Sequence, residues 1–239
     1  MVNEIAQVKV KNTFLSRVYG WMTLALVISG VTAFLAATNE TIIRLTIGNG
    51  FGFLILAVAE LALVWWLTAS IHKISSGAAF FAFILYSVLN GVTLSSIFLV
   101  YKIESIFMVF FISAGMFAAM AVYGTVTKSS LSSFGKFFAM ALVGIIIASL
   151  VNFLLRSPML DWFLSIITVV IFTGLTAYDA QKMLAVSGNA SDDEMFRKAS
   201  VIGALDLYLD FINIFLAMLR LFGRRRNLLH SKLTLKNPQ

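Results

Sequence analysis

The chain has 239 residues, of which 60% are hydrophobic and 12% charged, with a mean hydropathy of +0.93 and a formal net charge of +7. Soluble domains carry about 25% charged residues, so this composition excludes a water-soluble globular protein and indicates one membrane domain. The lack of cysteine excludes disulfides and cysteine-ligated metals. The basic residues flank apolar segments, which suits anionic lipid headgroups better than nucleic acid.

Seven apolar segments long enough to cross a bilayer follow one another along the chain. They are continuously apolar, as membrane helices are, whereas the strands of a membrane barrel alternate apolar and polar residues. We therefore predict an all-α integral membrane protein with transmembrane helices at residues 18–37, 51–70, 77–100, 105–126, 134–155, 159–182 and 200–222. A polar N-terminal tail (1–17) and a basic C-terminal tail (223–239) flank this seven-helix domain (18–222).

Local signals support the limits of the last two helices. Ser157 and Pro158 form a capping pair that begins the sixth helix, and Gly223 is a plausible stop for the seventh. The segment from Ser191 to Glu194 has capping-box spacing, so the last helix is expected to begin on the acidic loop.

The distribution of positive charge leaves two topologies open. An inner N-terminus places most connecting lysines and arginines inside, but seven spans then put the cluster Arg224–Arg226 on the outer side, where it is disfavoured. Six spans with a re-entrant last segment would keep both ends inside. Because that segment has no central Pro or Gly to turn it, seven spans with the N-terminus inside are favoured.

Ionisable side chains inside the spans are the candidate functional residues. A charge at mid-membrane costs about 2.5–3.5 kcal/mol on insertion scales, so each such residue needs a reason. Four acids qualify: Glu60, Asp179, Asp206 and Asp210. In the seventh helix, helical spacing places a polar stripe on one face, formed by Asp206, Asp210, Asn213, Ala217 and Arg220.

Asp179 ends a fainter polar stripe in the sixth helix and could lie level with Asp206 or Asp210. Two carboxyl groups at close range in a low dielectric share a proton, which makes them a pH sensor. When ionised, their oxygens attract Ca²⁺; when protonated, they form a neutral hydrogen-bonded latch between two helices. The structural alternative is that the acids pair with Asn90, Asn152, Asn213 or Arg220 and only hold helices together.

Three segments resemble the transmembrane Bax inhibitor motif family, in particular its bacterial members. They are RVYGWMT at residues 17–23, GLTAYDAQ at 174–181 and ALDLYLDFINIF at 204–215. The resemblance spans nearly the whole chain. It implies a seven-helix fold with the last helix central and a pH-sensitive calcium leak gated by an aspartate pair, Asp179 and Asp210. The arginine that the family carries further along the second helix has no counterpart in residues 68–73 (TASIHK).

The expected function is therefore a passive, proton-regulated calcium leak. Asp179 and Asp210 are the expected sensor and gate, Asp206, Glu60 and Asn213 the expected ion pathway, and all three aspartates the candidate Ca²⁺ ligands. No cofactor is expected, since Ca²⁺ is the transported ion. Enzymatic activity is not expected either, because no histidine within a span completes a hydrolase triad.

Two other functions remain open at this stage. One is an interaction protein that engages a membrane protease or stress machinery through its basic N-terminal tail. The other is a proton-coupled secondary transporter, which the sequence does not favour because it shows no discontinuous helix pair. The expected partners are the lipid bilayer and calcium ions, the expected state is a monomer, and the expected location is the bacterial inner membrane, crossed several times.

Overall fold

The computed structural model describes residues 2–187 and 193–226, and this part of the chain is helical almost throughout. The helices are α1 (Val2–Thr38), α2 (Glu40–Thr46), α3 (Gly50–Ser70), α4 (Ser76–Val100), α5 (Ile103–Val126), α6 (Ser132–Leu155), α7 (Pro158–Ser187) and α8 (Asp193–Phe222). All except α2 are long and apolar enough to cross a membrane. The predicted all-α fold with seven spans is confirmed.

The first and sixth predicted spans are longer in the structure than the sequence predicts. Helix α1 is continuous from Val2, so no backbone boundary separates the predicted N-terminal tail from the first span, and Phe14 is already fully buried. Helix α7 continues to Ser187, five residues beyond its predicted end. The apolar run marks only the part of each helix that lies in lipid, whereas the helix itself continues past the interface.

Helix α8 lies at the centre of the bundle, as predicted. It packs against α1, α4, α5 and α7, while α3 packs mainly on α4, and α6 on α7. Its fully buried side chains include Leu205, Leu207, Tyr208, Ile214 and Leu219. The periphery is correspondingly exposed to lipid, since Gly135 is the one buried residue of α6.

The structure favours seven spans over six spans with a re-entrant segment. Helix α8 runs for 30 residues without interruption from Asp193 to Phe222, so the chain does not turn back within the membrane. Ser191 and Asp192 of the expected capping box lie outside the described residues, as do residues 227–239 of the C-terminal tail. Glu194 instead caps α4, because both its carboxylate oxygens accept hydrogen bonds from Ser76, at 2.7 and 2.8 Å.

Helices α5 and α7 approach closely at Gly124. A Cβ atom on this residue would lie 2.1 Å from the carbonyl oxygen of Ala177 and within 3 Å of two more of its backbone atoms. Backbone atoms cannot move aside as a flexible side chain can, so only glycine fits here. The contact lies two residues from Asp179 and fixes this end of α7 against the bundle.

We expect Gly124→Ala to destabilise the protein by about 2 kcal/mol, because the added methyl group overpacks the α5–α7 contact. The measurement is thermal or denaturant-induced unfolding of the purified protein in detergent. Gly115→Ala on the same helix is the control: a Cβ atom there meets nothing within 4 Å, and alanine favours helix by about 1 kcal/mol over glycine. Equal stability losses in the two variants would contradict the close contact.

Candidate functional site

The three aspartates of the last two spans come together where α7 packs on α8. Asp179 is 9% exposed and Asp210 4% exposed, and the Asp210 carboxyl interacts electrostatically with those of both Asp179 and Asp206. The structure thus brings together the predicted pair, Asp179 and Asp210, with Asp206 as a third acid. We call these three residues and Lys182 the acid cluster.

Lys182 is the member of this cluster that the sequence analysis missed. Its Nζ atom lies 3.1 Å from Asp206 Oδ2, to which it donates a hydrogen bond, and 3.6 Å from Asp179 Oδ1. The lysine is the last residue of the predicted apolar span, where a basic residue is expected at the membrane surface. Its position three residues after Asp179 was the available signal, since residues i and i+3 lie on the same face of a helix.

This lysine also bears on the arginine expected from the family resemblance. Residues 68–73 supply no arginine near the pair, but a cation from α7 lies between Asp179 and Asp206 instead. The ion pairs partly neutralise the two acids that are nearer to the surface. Asp210, which lies deeper, makes no ion pair with any residue in the described ranges.

Asp210 is the most deeply buried carboxyl group of the cluster. Its Oδ2 atom has no hydrogen-bond partner, although it is shielded from solvent. The hydroxyl of Thr176 lies near the carboxyl and donates to the Phe172 carbonyl at 2.8 Å. Burying a carboxylate oxygen without a hydrogen-bond partner is costly, so this group calls for an explanation beyond packing.

A cavity of about 320 Å³ lies beside the acid cluster, between the segment after α3 and helices α7 and α8. Its lining residues include Asp206 and Lys182 of the acid cluster, together with His72 and Lys198. Lys182 is 44% exposed, so the cluster is in contact with this space. Asp210 is not among the lining residues.

Glu60 belongs to a different group of side chains. Its carboxylate accepts hydrogen bonds from Thr93, at 2.5 Å, and Asn90, at 3.2 Å, both on α4. The Tyr208 hydroxyl donates to Asn90 at 2.8 Å and contacts the Ser29 hydroxyl at 2.6 Å. We call Ser29, Glu60, Asn90, Thr93 and Tyr208 the tyrosine network; it links α1, α3, α4 and α8.

The tyrosine network and the acid cluster lie on opposite sides of α8. Tyr208 is two residues from both Asp206 and Asp210, which corresponds to a rotation of about 200° around the helix axis. The structure therefore does not bring Glu60 to the acids with which the sequence analysis grouped it. The sequence does not show this, because it does not specify how α3 is rotated against α4.

The other polar residues of the predicted stripe do not contact the acids. Asn213 donates to the carbonyl of Leu209 at 2.8 Å, and Arg220 donates to the Ser165 hydroxyl at 3.0 Å. Asn152 accepts from the backbone of Ser157 at the turn after α6. Of the four residues proposed as structural partners, only Asn90 pairs with an acid, and that acid is Glu60.

The geometry of the cluster differs from a preformed metal site. In residues 2–187 and 193–226, no three His, Asp or Glu side chains are grouped as ligands of one metal ion. The Lys182 ammonium group lies between two of the three aspartates. A divalent ion that bound to Asp179 and Asp206 together would have to displace this ammonium group.

Comparison with known proteins identifies the family. Residues 11–227 match the family described as "Inhibitor of apoptosis-promoting Bax1". The chain belongs to this family. The resemblance noted in the sequence is thereby confirmed, and the Bax inhibitor family match includes both the acid cluster and the tyrosine network.

Three bacterial proteins illustrate the similarity of this Bax inhibitor family member to its relatives. Inner membrane protein YbhL of Escherichia coli strain K12 is 48% identical over 216 residues, which cover 90% of this chain and 92% of the relative. An uncharacterized protein of Borreliella burgdorferi is 44% identical over 228 residues, 95% of this chain and 98% of the relative. An uncharacterized membrane protein of Streptococcus pyogenes serotype M1 is 35% identical over 215 residues, which cover 89% of this chain and 93% of the relative.

These relatives and the seven spans locate the chain in the membrane. A multi-pass protein of the bacterial inner membrane is the location that the sequence analysis predicted, and it is confirmed. Contact with the lipid bilayer follows from the same observations.

Proposed function

We propose that this protein is a pH-regulated calcium leak channel whose gate is the contact between Asp179 and Asp210. The observation that carries the proposal is the Asp210 carboxyl group, which is buried beside a second acid and has an oxygen without a hydrogen-bond partner. Two carboxylates at close range in a low dielectric repel one another, whereas a shared proton turns the repulsion into a hydrogen bond.

The surroundings of Asp210 support a protonated, closed state. The Thr176 hydroxyl has a single proton, which it donates to the Phe172 carbonyl. This proton is then not available to the Asp210 carboxyl, and a buried carboxyl group without a cationic partner is less costly in its neutral form. In this state a neutral carboxyl group holds α8 against α7, and no net charge is left in the buried part of the cluster.

Loss of that proton opens the proposed pathway. An ionised Asp210 would repel Asp179 and would leave a buried charge unpaired, since Lys182 already pairs with the other two aspartates. Separation of α7 from α8 relieves both penalties and extends the 320 Å³ cavity inward. The carboxylate oxygens then attract Ca²⁺, for which they are suitable hard ligands.

The test of this function is calcium entry into proteoliposomes that contain the purified protein and an enclosed calcium dye. We expect passive flux that rises as the pH is raised, because the proton that closes the gate is lost. Empty liposomes and liposomes with heat-unfolded protein are the controls. Flux indistinguishable from empty liposomes at every pH would overturn the channel.

The same preparation separates the channel from a protein that regulates a membrane protease through its N-terminal segment. Deleting residues 1–13 removes that segment and leaves Phe14, the first buried side chain of the described part, in place. The calcium flux should survive this deletion. A protein that acts through the N-terminal segment would lose its partner and would show no flux in either form.

A further inference from the structure

The chain beyond α8 is fixed against the connection between α4 and α5. The Lys102 amide donates to the Arg224 carbonyl at 2.9 Å, the Arg226 amide donates to the Val100 carbonyl at 2.8 Å, and Tyr101 and Arg225 form an antiparallel bridge. The Arg224 amide also donates to the Ser105 hydroxyl at 2.9 Å. Backbone contacts therefore hold residues 224–226 beside the connection between α4 and α5.

A cavity of about 790 Å³ lies beside these contacts and has a positive lining. Its charged residues are Lys102, Arg224 and Arg226, against the single carboxylate of Glu104. All three cationic residues are exposed, and none forms an ion pair with an acid in the described ranges. Arg226 donates one hydrogen bond, to the Phe98 carbonyl at 3.0 Å. The cavity thus carries an excess of two positive charges that the described part of the protein does not balance.

An apolar groove of about 570 Å³ meets this cavity at Ile103, which lines both. The groove lies between α1, α4, α5 and α8, and its lining is almost entirely hydrocarbon, including the rings of Phe34, Phe98, Phe107 and Phe111. Phe98, which lines the groove, provides a second link to the charged cavity, because its backbone carbonyl accepts a hydrogen bond from Arg226.

The positions of the two spaces correspond to the two layers of one bilayer leaflet. The charged cavity lies where α4 ends, α5 begins and α8 ends, which is the membrane surface. The groove extends from there along the membrane-spanning parts of the same helices, at the depth of the acyl chains. A ligand that fills both must be anionic at one end and hydrocarbon at the other.

We propose that the cavity and the groove together bind one anionic phospholipid. Its phosphate lies among Lys102, Arg224 and Arg226, and one acyl chain lies along the groove. Arginine forks bind phosphate through paired hydrogen bonds, and each cation near a membrane surface favours anionic over zwitterionic lipid. This site lies at the end of α8 remote from the acid cluster and does not depend on the proposed calcium flux.

Binding of the lipid headgroup in the charged cavity is tested by native mass spectrometry of the full chain in detergent. The probes are phosphatidylglycerol and phosphatidylcholine with identical acyl chains. We expect preferential retention of phosphatidylglycerol, and about tenfold weaker retention in the double variant Lys102→Gln/Arg226→Gln. The control is Arg44→Gln/Lys73→Gln, which removes two exposed cations elsewhere. Equal retention of the two lipids, or equal losses in the two double variants, would overturn the site.

Binding of the acyl chain in the apolar groove is tested by the substitution Gly30→Leu. Gly30 lines the groove, and a Cβ atom there meets nothing within 4 Å, so the leucine fills the groove without disturbing the fold. We expect several-fold weaker phosphatidylglycerol retention, with Gly20→Leu, equally unobstructed on the same helix, as the control. Inorganic phosphate at equal ionic strength should not displace the lipid. Displacement by phosphate, with Gly30→Leu unchanged, would show a free-anion site instead.

Discussion

Asp210→Asn is expected to remove the rise of calcium flux with pH. The amide has the shape of the carboxyl group but cannot ionise, so the contact with Asp179 stays in its neutral, closed form at every pH. Two unit charges about 4 Å apart repel by about 4 kcal/mol at an effective dielectric of about 20. Losing such a repulsion shifts the closed–open equilibrium by more than about tenfold, so flux at alkaline pH should fall by at least that factor.

The measurement is calcium flux into proteoliposomes across the pH range. Substitutions of other acidic residues serve as comparisons. Asp179→Asn should behave like Asp210→Asn, since either substitution leaves only one ionisable group in the pair. Asp161→Asn, at the opposite end of α7, should behave like the unaltered protein. A full pH response in Asp210→Asn would rule out this residue as the sensor.

Asp206→Asn separates the gate from the ion pathway. The Asp206 side chain is 28% exposed, lines the cavity and is hydrogen-bonded to Lys182. Its loss should lower the flux, because the cavity becomes less attractive to Ca²⁺, while the pH response persists. If instead the response disappeared with Asp206, the partner of Asp179 would be this residue rather than Asp210.

The spans and the acids of the last two helices could be predicted because burial in lipid leaves a strong signal. A run of about twenty continuously apolar residues is best explained as a membrane span. An acid within such a run is easily recognised as unusual. The proximity of Asp179 to an acid of α8 could also be predicted from the sequence. The short connection between α7 and α8 places the end of one helix beside the start of the next.

The rest of the site could not be predicted because it depends on helix length and rotation. Lys182 is the last residue of the predicted sixth span, where a lysine is expected to extend toward the membrane surface. In the structure it instead pairs with two aspartates, and α7 continues to Ser187. Glu60 is predicted to belong to the ion pathway with Asp206 and Asn213, whereas in the structure it is hydrogen-bonded to Asn90 and Thr93 of α4. The sequence does not specify how α3 is rotated in the bundle. Tyr208, which connects the tyrosine network to α8, looked like an ordinary aromatic packing residue.

Lys182→Met is expected to move the pH midpoint of the flux toward alkaline pH by about one unit. The ammonium group lies 3.1 Å from Asp206 and 3.6 Å from Asp179, so it favours the ionised form of both acids. Methionine has a similar length and no charge. Without the cation, ionisation of the cluster needs a higher pH, and one unit corresponds to about 1.4 kcal/mol of lost stabilisation, reasonable for a lysine that is partly exposed.

Two further variants make the result specific to the ion pairs. Lys182→Arg keeps the charge and should leave the midpoint near its original value. Lys198→Met removes a cation that lines the same cavity but pairs with Glu194, at 3.7 Å, rather than with the acid cluster. Equal shifts in Lys182→Met and Lys198→Met would indicate a general change in cavity potential. A shift confined to Lys182→Met would show that the resident lysine sets the pH at which the gate opens, by stabilising the ionised acids that the proton otherwise neutralises.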